Sequence, residues 1–264
     1  MERLDKVLLN KGLVDSREKA KALIMAGKVL VDGKVMDKPG TKLTGTESIE
    51  IQELPRYVSR GGYKLEGALK RFGIEPAGWV ALDVGSSTGG FTHCLLEHGV
   101  RRVYAVDVGR GQLDYRLRKD PRVVLYEKTD ARALSEEHIP DKVDLITVDV
   151  SFISVTKVLP SIYNFLKEDG LMLILVKPQF ELCPRKVKKG IVREREHRRE
   201  ALTKVAHFLT ESGFSILGVV KSFPKGTKGN EEFFILASRV GKSVDIPSEI
   251  EKALDEDETA VLNV

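Results

Sequence analysis

From about residue 78 onward the chain repeats one pattern: a strand-length run of β-branched and aliphatic residues, a helical stretch, then another such run. The runs cover residues 79–84, 102–108, 123–127, 143–148, 171–176, 216–222 and 233–237. Parallel strands cannot be joined by a tight turn and need a crossover, so strand, helix, strand at this spacing predicts a mainly parallel sheet. Helices should cover both of its faces, which is the doubly wound α/β class. The longest wholly apolar run, residues 171–176, is strand length and far below the roughly 20 residues that a spanning helix needs. The first residues, Met1-Glu2-Arg3-Leu4-Asp5-Lys6, are charged and lead into no apolar core, so a cytoplasmic address is expected. Cys94 and Cys183 lie far apart, without the spacing of a metal site or a disulfide framework.

Residues 1–54 read differently. Leu4, Val7 and Leu8 recur at helical spacing before Gly12, and Ser16 is a plausible N-cap for a second helix whose apolar face is Ala20, Leu23 and Ile24. Val29-Leu30-Val31 and Val35-Met36 flank Asp32-Gly33, a hairpin signal because glycine tolerates positive φ. Glu53-Leu54-Pro55 interrupts the pattern. A small α+β domain is therefore expected over 1–54, a linker over 55–62, the sheet domain over 63–244 and an acidic tail over 245–264, of which 250–264 is either a short helix or mobile. In the first helices seven bases (Arg3, Lys6, Lys11, Arg17, Lys19, Lys21, Lys28) outnumber four acids. That surface can face a phosphate backbone, or can belong to a basic packing domain with no ligand.

Arg3-Leu4-Asp5, Leu8, Gly12, Ser16-Arg17, Ala20, Ile24, Gly27-Lys28-Val29 and Val31-Asp32-Gly33, followed by Lys38-Pro39, resemble the alpha-L RNA-binding domain first seen in a small-subunit ribosomal protein. The resemblance implies that Arg3, Ser16, Arg17, Lys19 and Lys28, with Lys6 beside them, meet structured RNA by shape and backbone.

In the second domain, Leu82-Asp83-Val84-Gly85-Ser86-Ser87-Thr88-Gly89-Gly90-Phe91-Thr92 puts a glycine-rich turn after a strand and before a helix. Glycines there let the backbone approach a nucleoside, and the helix N-terminus offers free N–H groups. The spacing is not G-x-G-x-x-G, because Ser87 stands where the second glycine should fall. The turn instead resembles that of class I (Rossmann-like) S-adenosylmethionine-dependent methyltransferases, which implies S-adenosyl-L-methionine as cofactor and the segment 83–91 around it. Asp107, with Val108, ends the next strand 22 positions after Gly85, where a carboxylate can accept from ribose hydroxyls; nicotinamide enzymes place one there too. Asp130 and Ala131 follow the third strand. Methyltransferases commonly hold the adenine amino group there, whereas a lone aspartate after a strand also serves as a helix cap.

Four segments put charge at positions where its burial would be costly: Ser59-Arg60-Gly61-Gly62-Tyr63-Lys64, Val148-Asp149-Val150-Ser151-Phe152, Val176-Lys177-Pro178-Gln179-Phe180, and Asn230-Glu231-Glu232-Phe233. Three of these abut strands of the sheet, whose C-termini converge on one crevice. Lys64, Asp149, Lys177 and Glu232, in that order, resemble the Lys-Asp-Lys-Glu tetrad of FtsJ-type ribose 2′-O-methyltransferases. Glu231 is adjacent, and neighbours in a strand face opposite ways; Glu232 is chosen from its distance to Phe234. The alpha-L domain, the tetrad, and the SRGGYKL and DVSFIS strings together resemble the TlyA family, whose members carry the hemolysin A label and methylate cytidine in ribosomal RNA.

The resemblance implies attack of a ribose 2′-oxygen on a sulfonium methyl, with no metal required. Lys177 is the expected general base, and it must give up its own proton first. Lys64 and the positive sulfur promote that loss while Asp149 and Glu232 oppose it. Lys64 would stabilise the alkoxide, Asp149 would hold Lys177 and the target hydroxyl, and Glu232 would fix Lys64 or the substrate ribose.

The formal charge is +4, yet residues 245–264 carry seven acids and one base, which leaves the rest at +10. Ten bases against four acids fall between Lys177 and Lys204. They read either as a lip that grips RNA phosphates beside the crevice, with Lys186, Lys188 and Lys189 as candidate contacts together with Arg60, or as a solvated helix with internal ion pairs. Tyr57 and Tyr63 either stack on a base or pack. The rival functions are an RNA-binding protein with a vestigial methyltransferase fold, which predicts a damaged tetrad or glycine turn, and a membrane-active hemolysin, for which no spanning or exposed apolar helix is found.

Overall fold

The computed structural model describes residues 1–52 and 56–257. It divides into two compact units, Met1–Arg56 and Tyr57–Val264.

In the first unit, strand β1 (Glu2–Arg3) leads into helices α1 (Leu4–Asn10) and α2 (Arg17–Met25), followed by β2 (Val29–Val31), β3 (Lys34–Met36), β4 (Lys42–Leu43) and β5 (Ile49–Ile51). The Ser16 hydroxyl accepts from the Lys19 backbone N–H at 3.2 Å and so starts α2. Asp32 and Gly33 both have positive φ (49° and 75°), the requirement of the two-residue hairpin between β2 and β3. Leu4, Leu8, Ala20, Ile24 and Val29 are fully buried and form the core. The strands β1, β4 and β5, two or three residues each, are too short to show a period in sequence.

The second unit contains α3 (Arg60–Phe72), β6 (Val80–Val84), α4 (Gly90–Glu97), β7 (Arg102–Val106), α5 (Tyr115–Arg118), β8 (Val123–Tyr126), β9 (Val143–Val148), α6 (Leu159–Ile162), β10 (Leu166–Val176), α7 (Pro178–Glu181), α8 (Arg195–Glu211), β11 (Ser215–Lys221), β12 (Phe233–Ser238) and α9 (Ile246–Asp255). All seven expected strands join one sheet in the order β11-β12-β10-β9-β6-β7-β8. The pairs from β10 to β8 are parallel, and β12 is antiparallel to both of its neighbours. Leu65, Leu69 and Leu95 of α3 and α4 pack on one face, and Leu202, Val205 and Leu209 of α8 pack on the other. The order reverses between β6 and β9, so the crevice for a ligand opens at the C-terminal ends of those two strands.

One boundary differs from the sequence expectation, and one open alternative is decided. The expected boundary at 54/55 lies outside the described residues, and residues 57–62 are not a linker, because Tyr57 is buried, packs edge-on against Tyr63 (5.1 Å between centroids) and His93 (5.6 Å), and α3 begins at Arg60. Of the two alternatives for the acidic end, the described part is a helix: Asp245 caps α9, which buries Ile250, Ala253 and Leu254 against the sheet core. Those apolar residues recur at helical spacing. The remainder of the tail, residues 258–264, lies outside the described residues. No helix among the described residues is long and apolar enough to cross a membrane.

Candidate active site

Strand β6 runs into Gly85, whose φ is +85°; a Cβ there would lie 2.5 Å from the Asp149 carbonyl oxygen at the end of β9. Only glycine lets the two strand ends approach so closely. Ser87 and Gly89 continue the turn with positive φ, and α4 starts at Gly90, where a side chain would run into Ser59 and the Gly62 backbone. The Asp107 carboxylate accepts from the backbone N–H groups of Ser87 (2.8 Å) and Gly109 (2.7 Å) and so holds the turn against β7.

A cavity of about 460 Å³ opens beside this turn, lined in part by Gly85, Ser87, Asp107, Val108, Asp130, Ala131 and Asp149. A second, of about 230 Å³, shares Gly85, Ser87 and Asp149 and adds Ser86, Thr88, Gly90 and Phe91, together with Lys64, Lys177 and Glu232. The segments expected to hold a nucleoside and those expected to do chemistry therefore share walls. The residues suit the expected cofactor: a glycine cradle, carboxylates at the strand ends, and the buried Ser86 hydroxyl, which has no partner among the described residues. Of the two roles left open for Asp130, the structure shows the cap. It caps the turn at 131–133, accepting from the Arg132 N–H at 2.9 Å and from the Arg132 guanidinium at 2.6 Å, and it lines the larger cavity.

Asp83 departs from the expectation. It is fully buried and lines none of these cavities; its carboxylate accepts from Thr92 of α4 at 2.6 Å and Thr147 of β9 at 2.9 Å. Burial, outweighing the two hydroxyls, pushes its carboxyl up to about 6. Asp83 braces the turn from beneath. Gly89 likewise faces Leu113 and Leu117 instead of the cavity.

The four charged candidates resolve into two ion pairs. Lys64, on α3, meets Glu232 at 2.6 Å, and Lys177, just past β10, meets Asp149 at 2.6 Å. Three of the four side chains are nearly buried, and Asp149 is 24% exposed. Glu231 faces away from the pocket toward Arg198 (3.2 Å), Lys221 and Lys225 (3.6 Å each). Several neighbours were absent from the sequence-derived set. The Ser151 hydroxyl takes a hydrogen bond from Lys177 Nζ at 2.9 Å, and Gln179 reaches Glu232 at 3.4 Å. Gln112 accepts from the Ser87 hydroxyl at 3.2 Å. Phe152 has φ +65°, is 91% exposed, and lies 5.2 Å from Phe180 between ring centroids. Ser151, Phe152, Gln179 and Phe180 lie in the segments around the tetrad members Asp149 and Lys177, whereas Gln112 carried no signal in the sequence.

The basic run is divided by its partners. Arg195 and Arg199 pair with Glu251 of α9, Arg198 with Glu231, Lys204 with Glu181 and Lys186 with Glu200. Lys188 and Lys189 are exposed on a tight turn that closes between Lys188 and Ile191. Arg60 donates to the Lys225 carbonyl at 2.5 Å. In the first unit, Lys6 is exposed, Lys28 half-buried, and Lys19 is paired with Asp15 at 3.1 Å. The Ser16 hydroxyl oxygen accepts the cap hydrogen bond, and Arg3 and Arg17 both contact Asp5.

A model of the FtsJ-like methyltransferase matches residues 57–239, and one of the S4 domain matches residues 2–49. Over 236 residues the chain is 43% identical to the 16S/23S rRNA (cytidine-2′-O)-methyltransferase TlyA of Mycobacterium tuberculosis, covering 88% of each chain. It belongs to the TlyA family of FtsJ-like methyltransferases. Hemolysin A of Brachyspira hyodysenteriae is 42% identical, over 88% of this chain and 97% of that one. A solved structure from Streptococcus thermophilus superposes with a TM-score of 0.74 at 36% identity, over 99% of this chain and 96% of that one. The S4 match falls on the stretch expected to be the alpha-L domain, and the methyltransferase match begins at Tyr57, where the second unit begins. All four tetrad positions of this TlyA-family chain fall inside the latter match.

Proposed function

We propose that this TlyA-family methyltransferase methylates the ribose 2′-oxygen of a cytidine in ribosomal RNA, with S-adenosyl-L-methionine as donor. The observation that carries the proposal is the pair of ion pairs, Lys64–Glu232 and Lys177–Asp149, facing one cavity beside the glycine turn. The names of the relatives support the substrate class. Bound at the turn, S-adenosylmethionine supplies an electrophilic methyl on a positively charged sulfur. Asp107 would accept from ribose hydroxyls, Asp130 and Ala131 would meet the adenine edge, and Ser86 would gain the partner it lacks.

A ribose hydroxyl is a poor nucleophile at neutral pH, so the protein's own task is to orient it and take its proton. Lys177 is the base, held by Asp149 and the Ser151 hydroxyl so that its nitrogen stays at the cavity wall. Lys64, fixed by Glu232, stabilises negative charge developing on the oxygen inside a nearly buried site, where the interaction is screened least. Phe152 offers an exposed ring on which the target base can stack. Arg60, Lys186, Lys188 and Lys189 in this unit, and Arg3, Lys6, Ser16, Arg17, Lys19 and Lys28 in the S4 unit, are the proposed RNA contacts.

The test is transfer of labelled methyl to unmodified ribosomal subunits, with Lys177→Ala alongside and the modified position mapped by resistance to alkaline cleavage. Label on a ribose, lost in the variant, is the expected result. Tight cofactor binding with no transfer to either subunit would overturn the proposal.

A further inference from the structure

Asp5 is the one fully buried carboxylate in the first unit's described residues, and the charges around it are two arginines from different elements. Arg3 Nε donates to Asp5 Oδ1 at 3.0 Å and its Nη2 to Oδ2 at 3.2 Å, while Arg17 Nε, from the start of α2, donates to Oδ2 at 3.0 Å. The Asp5 backbone is itself fixed, its N–H bonded to the Pro39 carbonyl at 3.2 Å. The side-chain hydrogen bond from Arg3 is the leading cause that holds the Asp5 carboxyl down at about 2, so it is ionised at any working pH. Both guanidiniums nevertheless remain open to solvent, with side chains 44% and 40% exposed. An arginine has five N–H donors, and these bonds engage two of Arg3's and one of Arg17's, so most of the fork on each side chain is unengaged.

We infer that Asp5 is a positioning residue for RNA binding: one buried carboxylate holds the Arg3 and Arg17 guanidiniums side by side, with their remaining N–H groups presented together to backbone phosphates. Two guanidiniums this close repel each other, and without a shared anion each would disperse into solvent on a flexible stem. With it, the fork geometry that suits phosphate is set before binding, and less side-chain freedom is lost when RNA arrives. The inference rests on the proposed function for the identity of the RNA.

The sign of the effect separates positioning from plain electrostatics. Asp5→Asn raises the net charge by one, so an acid that merely opposed RNA would, on removal, tighten binding. As a positioning residue its loss weakens binding, by roughly tenfold, through the charge-assisted contacts no longer aligned. The experiment measures binding of the full chain to deproteinised ribosomal RNA at two salt concentrations, for wild type, Asp5→Asn, Arg3→Ala/Arg17→Ala and the triple variant, with thermal melting to establish the folded fraction. The expected result is a weakened Asp5→Asn, a salt slope lower by about 1.4–1.8 in the double arginine variant, and no further loss in the triple. Arg3→Lys/Arg17→Lys, which keeps the charge and the Asp5 carboxylate, should also weaken binding because the forks are gone. Three outcomes overturn the inference: binding by Asp5→Asn that is equal or tighter, the same Asp5→Asn penalty with both arginines already removed, or no RNA binding by the wild type. Methyl transfer by the wild type is scored separately and decides the proposed function, so failure of one reading is distinguishable from failure of the other.

Discussion

The strand-end pocket and the seam between α8 and α9 are made of the same chemistry, lysine or arginine against carboxylate, in opposite surroundings. In the pocket, Lys64–Glu232 and Lys177–Asp149 are largely shielded from water, and no apolar packing explains why four charges should be there. At the seam, Arg195 and Arg199 meet Glu251 with about two-fifths of each carboxylate or guanidinium side chain still exposed. Burial makes the first set costly to assemble and strong once assembled, whereas solvent screens the second. Charge composition cannot separate them, because both begin as bases and acids in sequence. What separates them is which side chains the sheet's strand ends turn inward.

The largest expected effect breaks the pocket side of this comparison. Lys177→Ala should lower the rate of methyl transfer by roughly 10²–10⁴-fold, the range for loss of a general base, with cofactor binding retained. Single-turnover transfer and equilibrium binding measured on the same preparation check it. An unchanged rate would remove Lys177 from the chemistry.

Beneath the pocket, Asp83 gives a pH signature. Its carboxyl stands at about 6 in the folded chain against 3.8 ordinarily, so the fold favours its protonated form. A raised carboxyl contributes most when protonated: stability from this group falls as pH rises between about 4 and 6 and is flat above. The total change is on the order of 3 kcal/mol. Denaturant unfolding at a series of pH values should show that slope in the wild type and its absence in Asp83→Asn; identical slopes in both would reject the assignment.

A smaller change sharpens the same side. Any side chain at Gly226 would run into the Glu232 carboxylate. Gly226→Ala should therefore displace Glu232 from Lys64 and slow transfer roughly 10- to 100-fold, the cost of modest misplacement, while cofactor affinity is unaffected. Transfer kinetics beside cofactor titration give the split. The smallest effect belongs to the seam. Arg195→Ala/Arg199→Ala should move the melting temperature by no more than about 2–3 °C and leave transfer unaltered, because exposed pairs contribute little. A large loss of activity there would show that the seam serves the reaction and end the contrast.

How much of this was legible beforehand follows from the range of the forces involved. The seven strands, the Asp32-Gly33 hairpin and the Ser16 cap are local: hydrophobic period, turn chemistry and capping act over a few residues, and each was found where the sequence placed it. The glycine turn was legible for the same reason, since positive φ at Gly85 and Gly89 is a local requirement. Family resemblance supplied the tetrad, and the alternation of facing along an extended chain gave a reason to choose between Glu231 and Glu232.

Tertiary structure alone decided the rest. The pairing of Lys64 with Glu232 spans 168 positions, and that of Asp83 with Thr147 spans 64; no local pattern records either. Whether Asp83 faced a cofactor or the core depended on what α4 and β9 placed over it, and whether a basic run faced solvent or α9 depended on where the acidic end packed. Local chemistry determines which elements form because its partners are near neighbours in the chain. Which charges are dry, paired or exposed depends on distant segments meeting, and only the folded sheet brings those together.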